Sequence, residues 1–461
     1  MSSAPIYERA LVWMRRDLRL KDQRALFEAT HQSSKVLPVF VIDSNIVDKL
    51  SKTDRRVTFI QKSLDEVAEG LDKKGSRLLV VYGDPAEKIP ELAKKLKVQA
   101  VFTSNDFEAY AKKRDEGVAK RLKSEGVAFH SFKDQVIFEG TEILNGSGEP
   151  YRVFTPYSNN WLKQFESAKA KHLRDYQPKM GSLWDASEIR EKSTSFWEHG
   201  FKEQDIVIPT GSKAAEKLLK DFADHISRYQ EARDFPAIGG TSRLSMHIRF
   251  GTISIRECLR FADEHLSAGT RVWIKELIWR EFYQMILFNF PHVEKGSFKR
   301  ECDQIKWPGK KEHFEAWVEG KTGFPIIDAA MREFKQTGWM HNRLRMVVAM
   351  FLTKDLLLDW RMGEKYFADN LLDFDLASNN GGWQWSASTG CDAQPYFRVM
   401  NPYSQSERFD FDGEYIRKWV PELSKLKGKA IHHPLPFEYM EPVVDHSEQR
   451  LIAIDLFKKL K

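Results

Sequence analysis

Large aromatic rings and polar side chains share one helical face in the segment 272–283 (VWIKELIWREFY). Glu276, Trp279, Arg280 and Tyr283 recur there at positions i, i+3, i+4 and i+7, the spacing of one side of a helix. A carboxylate, a cation and flat rings on one face can stack on a nucleic-acid base and hydrogen-bond to it. A plain surface ion pair between Glu276 and Arg280, beside half-buried rings, explains the same spacing.

A second segment, 338–351 (GWMHNRLRMVVAMF), also divides into an apolar side and a polar side. Asn342 can donate and accept hydrogen bonds at once, which suits recognition of a base edge. Arg343 and Arg345 have no acidic residue within 339–350 to pair with. The pattern predicts either a surface that faces nucleic acid or a solvated basic face, and the residues alone leave both open.

The pentapeptide TSRLS at 241–245 could bind a phosphate. It follows a Gly-Gly pair and precedes a helical stretch, so hydroxyls, backbone N–H groups and the Arg243 guanidinium could meet the anion. A capped helix start with a solvated arginine is the structural alternative.

The segment 367–385 has the densest set of polar groups in the chain. Asp373, Asp375 and Asn379 precede a Gly pair and two tryptophans. An Asp-x-Asp metal site is disfavoured, because no histidine or third carboxylate stands at ligand spacing. Polar groups around a heteroaromatic cofactor fit the segment better, and we expect no metal.

The first 132 residues must fold differently from the rest. Apolar runs rich in Val, Leu and Phe alternate there with amphipathic stretches, which predicts repeated βα units around a five-stranded parallel sheet, a Rossmann-like α/β domain. We expect strands near 10–14, 36–42, 78–82, 100–103 and 127–132, and helices near 24–30, 55–74, 85–96 and 107–125. WMRRDLRLKD stands after the first strand in place of a GxGxxG loop, so a dinucleotide site there is not supported.

Two more regions follow the predicted sheet. Residues 133–209 have poor periodicity and mix Gly, Pro, Ser and charged residues, which is typical of a long connector. From 210 to 461 helical periodicity dominates, so this part is predicted to be an all-α domain. The sequences GxSxG, HExxH and GxxxxGK[ST] are absent, which argues against a serine hydrolase, a zinc protease and a P-loop enzyme.

The composition bears on the binding partners and the cellular location of the protein. The 72 basic and 66 acidic side chains leave a surplus of +6 over 461 residues, too small to identify a polyanion partner by itself. Three widely spaced cysteines suggest neither a disulfide framework nor a CxxC metal site. The first ten residues lack an apolar signal core, so we expect a soluble protein of the cytoplasm. Thirteen tryptophans are unusually many and require an explanation.

Five segments, TSRLS, ELIWREFY, KTGFPIIDAAMR, GWMHNRLRM and DFDLASNNGGWQW, resemble in this order the DNA photolyase/cryptochrome family. The resemblance extends from LVWMRRDLRL to the end of the chain and is greatest to the bacterial class I cyclobutane pyrimidine dimer (CPD) photolyases. It implies an N-terminal α/β antenna domain (1–132), a linker (133–209) and a helical domain (210–461) that holds FAD in a U-shape. It also implies light-dependent dimer repair in duplex or single-stranded DNA by a monomeric enzyme. A blue-light photoreceptor without repair activity is the alternative.

The resemblance assigns roles residue by residue. The positions that match the family's FAD-phosphate cradle are Tyr229, Thr241, Ser242, Arg243, Leu244 and Ser245. Other positions that match flavin and adenosine contacts are Trp273, Arg345, Asp373, Asp375 and Asn379, although Arg345 could instead pair with Asp373. The tryptophans that match the electron-transfer triad are Trp383, Trp360 and Trp307. Those that match the lesion pocket are Glu276, Trp279, Asn342, Met346 and Trp385, and the other DNA-facing positions are Arg233, Arg280, Arg343, Arg345, Arg398 and Gln405.

Three positions bear on the subfamily and the second chromophore. Asn342 stands where animal-type cryptochromes and (6-4) photolyases carry histidine, and Asn379 has the photolyase identity, so both favour dimer repair. Ala111 stands where folate-binding members carry a glutamate. Methenyltetrahydrofolate is therefore in doubt as the antenna, and a deazaflavin or a second flavin is comparably favoured.

Overall fold

A computed structural model describes residues 5–460. The N-terminal part of the chain contributes a five-stranded parallel sheet. The strand order is β3-β2-β1-β4-β5. The strands are β1 (Tyr7–Met14), β2 (Ser33–Asp43), β3 (Leu79–Gly83), β4 (Ala100–Ser104) and β5 (Ala128–Phe132). Each predicted strand is confirmed to within three residues at either end, and every pairing is parallel.

Helices connect the strands and make up most of the remaining regular structure. In the first half of the chain they are α1 (Arg24–Gln32), α2 (Ser44–Val47), α3 (Arg55–Asp72), α4 (Pro85–Lys95), α5 (Ala109–Ser124), α6 (Phe154–Ser167), α7 (Lys169–His172) and α8 (Gly211–Phe222). In the second half they are α9 (Tyr229–Ala232), α10 (Ser245–Phe250), α11 (Ile255–Glu264), α12 (Ala268–Asn289), α13 (Lys311–Glu319), α14 (Pro325–Thr337), α15 (Asn342–Met350), α16 (Trp360–Asn370), α17 (Leu376–Ala387), α18 (Pro402–Phe409), α19 (Glu414–Trp419), α20 (Lys429–His432) and α21 (His446–Lys458). One π-helical turn, Phe351–Asp355, follows α15.

The chain forms two compact units, and their boundaries differ from the predicted ones at 132 and 209. The first unit comprises 5–142, Trp161–Asp224 and Ser242–Leu266, and the second comprises Ile143–Asn160, His225–Thr241 and 267–460. The first unit takes up most of the predicted linker because Trp184 and Ile189 belong to the core beneath the sheet.

Charge pairing explains why 242–266 belongs to the first unit. Arg256 on α11 donates to Asp22 at 2.9 Å and to Asp134 at 2.8 Å. Arg19 also pairs with Asp134, at 2.6 Å, and all four side chains are buried. Breaking a buried pair leaves an unpaired charge in the core, so these contacts hold α11 to the first unit strongly.

The second unit is helical, as the periodicity predicts. Its core is formed by rings and aliphatic side chains of α13 to α17, among them Trp317, Phe334 and Phe367. Helix α6 lies within the region expected to be an irregular connector. Pro156 and the Asn159-Asn160 pair interrupt its apolar spacing, which is why periodicity does not reveal it. Between residues 5 and 460, no helix is long and apolar enough to cross a membrane.

Candidate functional site

Helices α12 and α17 approach each other closely at Gly381. A Cβ atom added at Gly381 would lie 2.1 Å from the Tyr283 ring. Only glycine therefore allows the two helices to pack at this separation. This contact sets the face that carries Glu276 and Trp279 against the helix that carries Trp385.

Trp279 is held in place by other aromatic rings. Its ring stacks on Phe154 with centroids 3.6 Å apart and an interplanar angle of 6°, and it meets Phe282 edge-on at 5.6 Å. Offset and edge-on ring pairs each add to the energy of simple burial. Trp279 itself stays half-buried, so part of the ring remains available for stacking.

A row of alternating charges joins the start of α15 to the middle of α12. The Arg233 guanidinium pairs with the Glu276 carboxylate. Arg343 donates to Asp234 at 2.8 Å, and Arg233 Nε lies 3.9 Å from the same aspartate. Since Arg343 Nη1 is 3.9 Å from Met346 Sδ, the row ends beside another predicted pocket residue.

Asn342 is exposed at the first position of α15, where His341 caps the helix. His341 Nδ1 accepts from the Arg343 backbone N–H at 3.2 Å. Burial lowers the pKa of His341 to about 4, so the ring is neutral at pH 7. With Nδ1 as acceptor, the assigned tautomer carries its proton on Nε2.

Polar side chains on α15 and just before α17 are held by hydrogen bonds. Arg345 donates two hydrogen bonds to the buried Asp373 carboxylate, at 2.8 and 3.1 Å, so the pair suggested by the sequence forms. Asp375 caps α17 by accepting from the Ser378 N–H at 3.1 Å.

The Asn379 amide is oriented by α16. Its Nδ2 donates to the Glu364 backbone oxygen at 3.1 Å and to the Glu364 carboxylate at 2.9 Å. Burial raises the pKa of Glu364. With Nδ2 committed, Oδ1 is the atom that Asn379 can offer to a donor such as a ring N–H.

The 241–245 segment, predicted to bind a phosphate, leads directly into helix α10. Arg243 adopts a left-handed conformation with φ of 52° and is exposed. Helix α10 begins at Ser245, directly after the buried Leu244, and no side chain caps it. Ser242 is half-buried and belongs to the first unit, whereas Thr241 belongs to the second.

Three tryptophans predicted to act in series share one core. Trp383 and Trp360 are buried within it, and Trp307 packs against it half-buried. Trp383 meets Phe367 edge-on at 5.0 Å, and Trp307 meets Phe457 edge-on at 6.2 Å. The set therefore runs from buried to partly exposed positions.

Comparisons with known proteins decide the family. Residues 10–177 match the family model described as DNA photolyase, and residues 273–459 match the FAD binding domain of DNA photolyase. A deoxyribodipyrimidine photo-lyase from Synechococcus sp. is 39% identical, over 100% of this chain and 97% of that protein. The chain belongs to the DNA photolyase family.

Solved structures of the family share the fold. A bacterial class III photolyase from Agrobacterium tumefaciens has a TM-score of 0.90 at 32% identity, covering 100% of this chain and 99% of that chain. An archaeal photolyase from Sulfolobus tokodaii with two FAD molecules has a TM-score of 0.85 at 34% identity, covering 98% and 100%. A cryptochrome of Synechocystis sp. has a TM-score of 0.88 at 26% identity, covering 100% of both chains. The similarity to a class III structure means that the class I assignment stays a prediction.

The remaining predicted site residues of this photolyase-family chain differ in how deeply they are buried. Trp273 and Tyr229 are buried on α12 and α9, and burial raises the pKa of Tyr229. Arg280 is half-buried on α12, and Gln405 is half-buried on α18. Arg398 is exposed and donates to Gln394 at 3.3 Å. Within 5–460, no group of three or more His, Cys, Asp and Glu side chains is arranged to hold a metal ion.

Sequence reasoning missed Phe154 and Asp234. Phe154 lies in a region that looks like a connector, and its partner Trp279 is 125 residues away. Asp234 pairs with Arg343 across 109 positions. The available signal was charge: Arg343 had no acid near it in sequence, so a distant acid was to be expected.

Proposed function

We propose that this protein is a deoxyribodipyrimidine photo-lyase, which splits cyclobutane pyrimidine dimers in DNA under light. One structural observation carries the proposal: the ion pairs from Glu276 through Arg233 and Asp234 to Arg343 bring the stacking face of α12 to the start of α15. Full-length similarity to proteins of that name supports it.

The substrate is a dimer rotated out of the DNA helix. A lesion stacks and pairs poorly, so moving it into a pocket costs less than moving an intact base, which contributes to selectivity. Trp279 and Trp385 supply half-buried rings for stacking, while Asn342 supplies both a donor and an acceptor. The exposed Arg398 can bind a phosphate and fix the position of the strand.

The residues of the second unit fit FAD. Asn379 offers an acceptor oxygen for a ring N–H, and Asp373, which precedes it by six residues, forms a fixed ion pair with Arg345. Open space lies next to α17, since a Cβ at Gly382 would meet no described atom within 4 Å. When bound, reduced FAD supplies the light-driven electron transfer that splits the dimer. The protein supplies orientation and electrostatics.

Glu276 is the residue proposed to stabilise the charge that develops on the dimer. Its carboxyl group lies on the same helical face as Trp279, one turn away. A hydrogen-bond donor at that point, which Glu276 supplies when its carboxyl group carries a proton, binds the charged dimer more strongly than the neutral one. Only such differential binding accelerates the reaction.

A blue-light photoreceptor is the second candidate function. The similarity to a cryptochrome structure favours it. The presence of Asn342 and Asn379, which both have the photolyase identity, favours repair instead. We further propose a monomer of the cytoplasm, with a second chromophore beside FAD. The Sulfolobus structure with two FAD molecules and the alanine at position 111 support a flavin or deazaflavin over folate.

The test uses the FAD-loaded protein and an oligonucleotide with one thymine dimer. After reduction of the flavin, dimers should disappear under blue light and persist in the dark, while a (6-4) product should persist in both. Flavin that photoreduces without loss of dimers would support the photoreceptor instead. Dimer loss in the dark would contradict both.

A further inference from the structure

Asp234 lies between two arginines that are predicted to face DNA. Its Oδ1 accepts from Arg343 Nη2 at 2.8 Å and lies 3.9 Å from Arg233 Nε. Arg233 in turn pairs with Glu276. The two cations and two carboxylates therefore alternate, and their formal charges cancel.

Arg343 is fixed on several sides. Its guanidinium lies over the Phe409 ring at 4.4 Å, with Met346 Sδ 3.9 Å from Nη1. The arginine side chain is only 18% exposed. A free arginine has many rotamers, so a carboxylate that receives one of its nitrogens selects the orientation seen here.

The residue after Asp234 strengthens the same arrangement. Phe235 packs edge-on against Phe409 at 6.3 Å, and its backbone N–H donates to Ala232 O at 3.2 Å. Gly240 returns the loop against Ala232, where a Cβ would lie 2.6 Å from the Ala232 Cβ. The loop thus holds Arg343 by its charge through Asp234 and supports the ring beneath it through Phe235.

Two other ionisable groups close to these four residues, His341 and Arg345, do not compete with Asp234 for Arg343. His341 is buried and neutral at pH 7, so it adds no charge beside Asp234. Arg345 is paired with Asp373. Asp234 is therefore the carboxylate available to Arg343.

We propose that Asp234 is a positioning residue that confers lesion specificity: it keeps Arg343 and Arg233 turned into the pocket, beside Met346 and Glu276, and away from the phosphates of undamaged DNA. The inference rests on the proposed function. Undamaged DNA offers mainly phosphate contacts, which any mobile arginine can make, whereas a dimer in the pocket uses the arginines where Asp234 holds them. A contact that prevents the wrong interaction contributes to specificity as much as one that favours the right interaction.

The test compares binding to two oligonucleotides of one sequence, with and without a thymine dimer, across a range of salt concentrations. In Asp234→Asn the ratio of the two affinities should fall on the order of tenfold, the usual effect of losing a charge-assisted contact. The slope of log K against log salt for undamaged DNA should steepen by about 0.9, because a freed arginine reaches one more phosphate. Asp234→Glu, which keeps the charge, should retain most of the ratio.

Glu231→Gln is the matched control. Glu231 is exposed on α9, three residues from Asp234, so its loss changes net charge equally. Both affinities should then rise together, with the ratio and the salt slope unchanged. In a protein that already carries Arg343→Gln, Asp234→Asn should change the ratio of the two affinities much less than it does in the wild-type protein. This comparison remains informative even if Asp234→Asn alone folds poorly.

Two failures are distinguishable. A wild-type protein without preference for dimer DNA would contradict the proposed function, and this inference with it. A wild-type preference that Asp234→Asn retains, together with the wild-type salt slope, would overturn the inference alone.

Discussion

Gly363 on α16 lies directly against the ring of Trp383 on α17. A Cβ at position 363 would be 2.1 Å from Trp383 Cη2 and 2.4 Å from Cζ3. Trp383 is buried, so its ring cannot turn away into solvent. The glycine therefore fixes where the first tryptophan of the predicted series sits.

We expect Gly363→Ala to destabilise the protein by about 1–3 kcal/mol, the usual cost of overpacking a core. Urea denaturation measures this. Gly117→Ala in α5 is the control, since its Cβ would meet only the Ala86 Cβ, at 3.8 Å. That variant should gain roughly 0.5–1 kcal/mol, because alanine is the better helix residue. Equal stability of the two variants would contradict the packing argument.

Trp307→Phe should slow photoreduction of oxidised flavin and leave dimer repair by reduced enzyme intact. Trp307 is the half-buried member of its set, so phenylalanine removes the indole with little loss of packing. Flavin absorbance under blue light with an external thiol donor measures the rate. Trp419→Phe, another half-buried tryptophan at the same core, is the control and should reduce at the wild-type rate. A wild-type rate in Trp307→Phe would remove Trp307 from the series.

Glu276→Ala should lower the repair yield per absorbed photon much more than it lowers FAD content. A hydrogen-bond donor that faces developing negative charge stabilises the transition state by ~1–3 kcal/mol. Glu276→Gln places an N–H donor at the same position and should retain more of the yield. If Glu276 served only as the partner of Arg233, both variants would repair normally. Loss of FAD in either would indicate a structural role.

The burial of the Lys354 side chain leads us to expect that the stability of the protein depends on pH. Its side chain is buried, its Nζ makes no hydrogen bond to any residue of 5–460, and it lies 3.6 Å from the centre of the Phe457 ring. Burial lowers the pKa of Lys354 to about 7, below its ordinary 10.5. Between these values the unfolded chain binds the extra proton, so stability rises with pH, whereas below pH 7 both states are protonated.

The measurement is urea denaturation at pH 7 and pH 9. With its pKa lowered to about 7, Lys354 should contribute a rise in the free energy of unfolding of about 2 kcal/mol over this range. Lys354→Met, which keeps the apolar stem, should be more stable than wild type at pH 7 and should lack this rise. The comparison stops at pH 9 because burial also raises the pKa of the Cys302 thiol, to about 11. If the stability of wild type and of Lys354→Met changed with pH in the same way, Lys354 would be solvated in the folded protein.

Local patterns predicted the elements well. Apolar runs between amphipathic stretches located all five strands, and the i, i+3, i+4 spacing located α12 and α15. The same reasoning missed α6, where Pro156 and a pair of asparagines mask the helical spacing. It gave no sign that Trp184, in the predicted linker, is buried under the sheet, because that burial depends on contacts with strands far away in sequence.

Pairs between distant residues were the harder part of the site. The Arg345–Asp373 contact was suggested because a known family motif places both near the cofactor. The pairing of Glu276 with Arg233 was not foreseen, since helical spacing points to Arg280 as its neighbour. A sequence shows which charges lack a local partner, but the fold decides which distant charge they meet.

The division of the chain into alternating segments has a consequence for how such proteins can vary. The backbone passes between the two units after residues 142, 160, 224, 241 and 266, so each unit is assembled from three separate stretches. A single crossover in the gene that transfers all of one unit therefore also transfers segments of the other unit. Neither unit is one continuous stretch of the gene, so substitution within the chain is a simpler route to new variants than the exchange of complete domains.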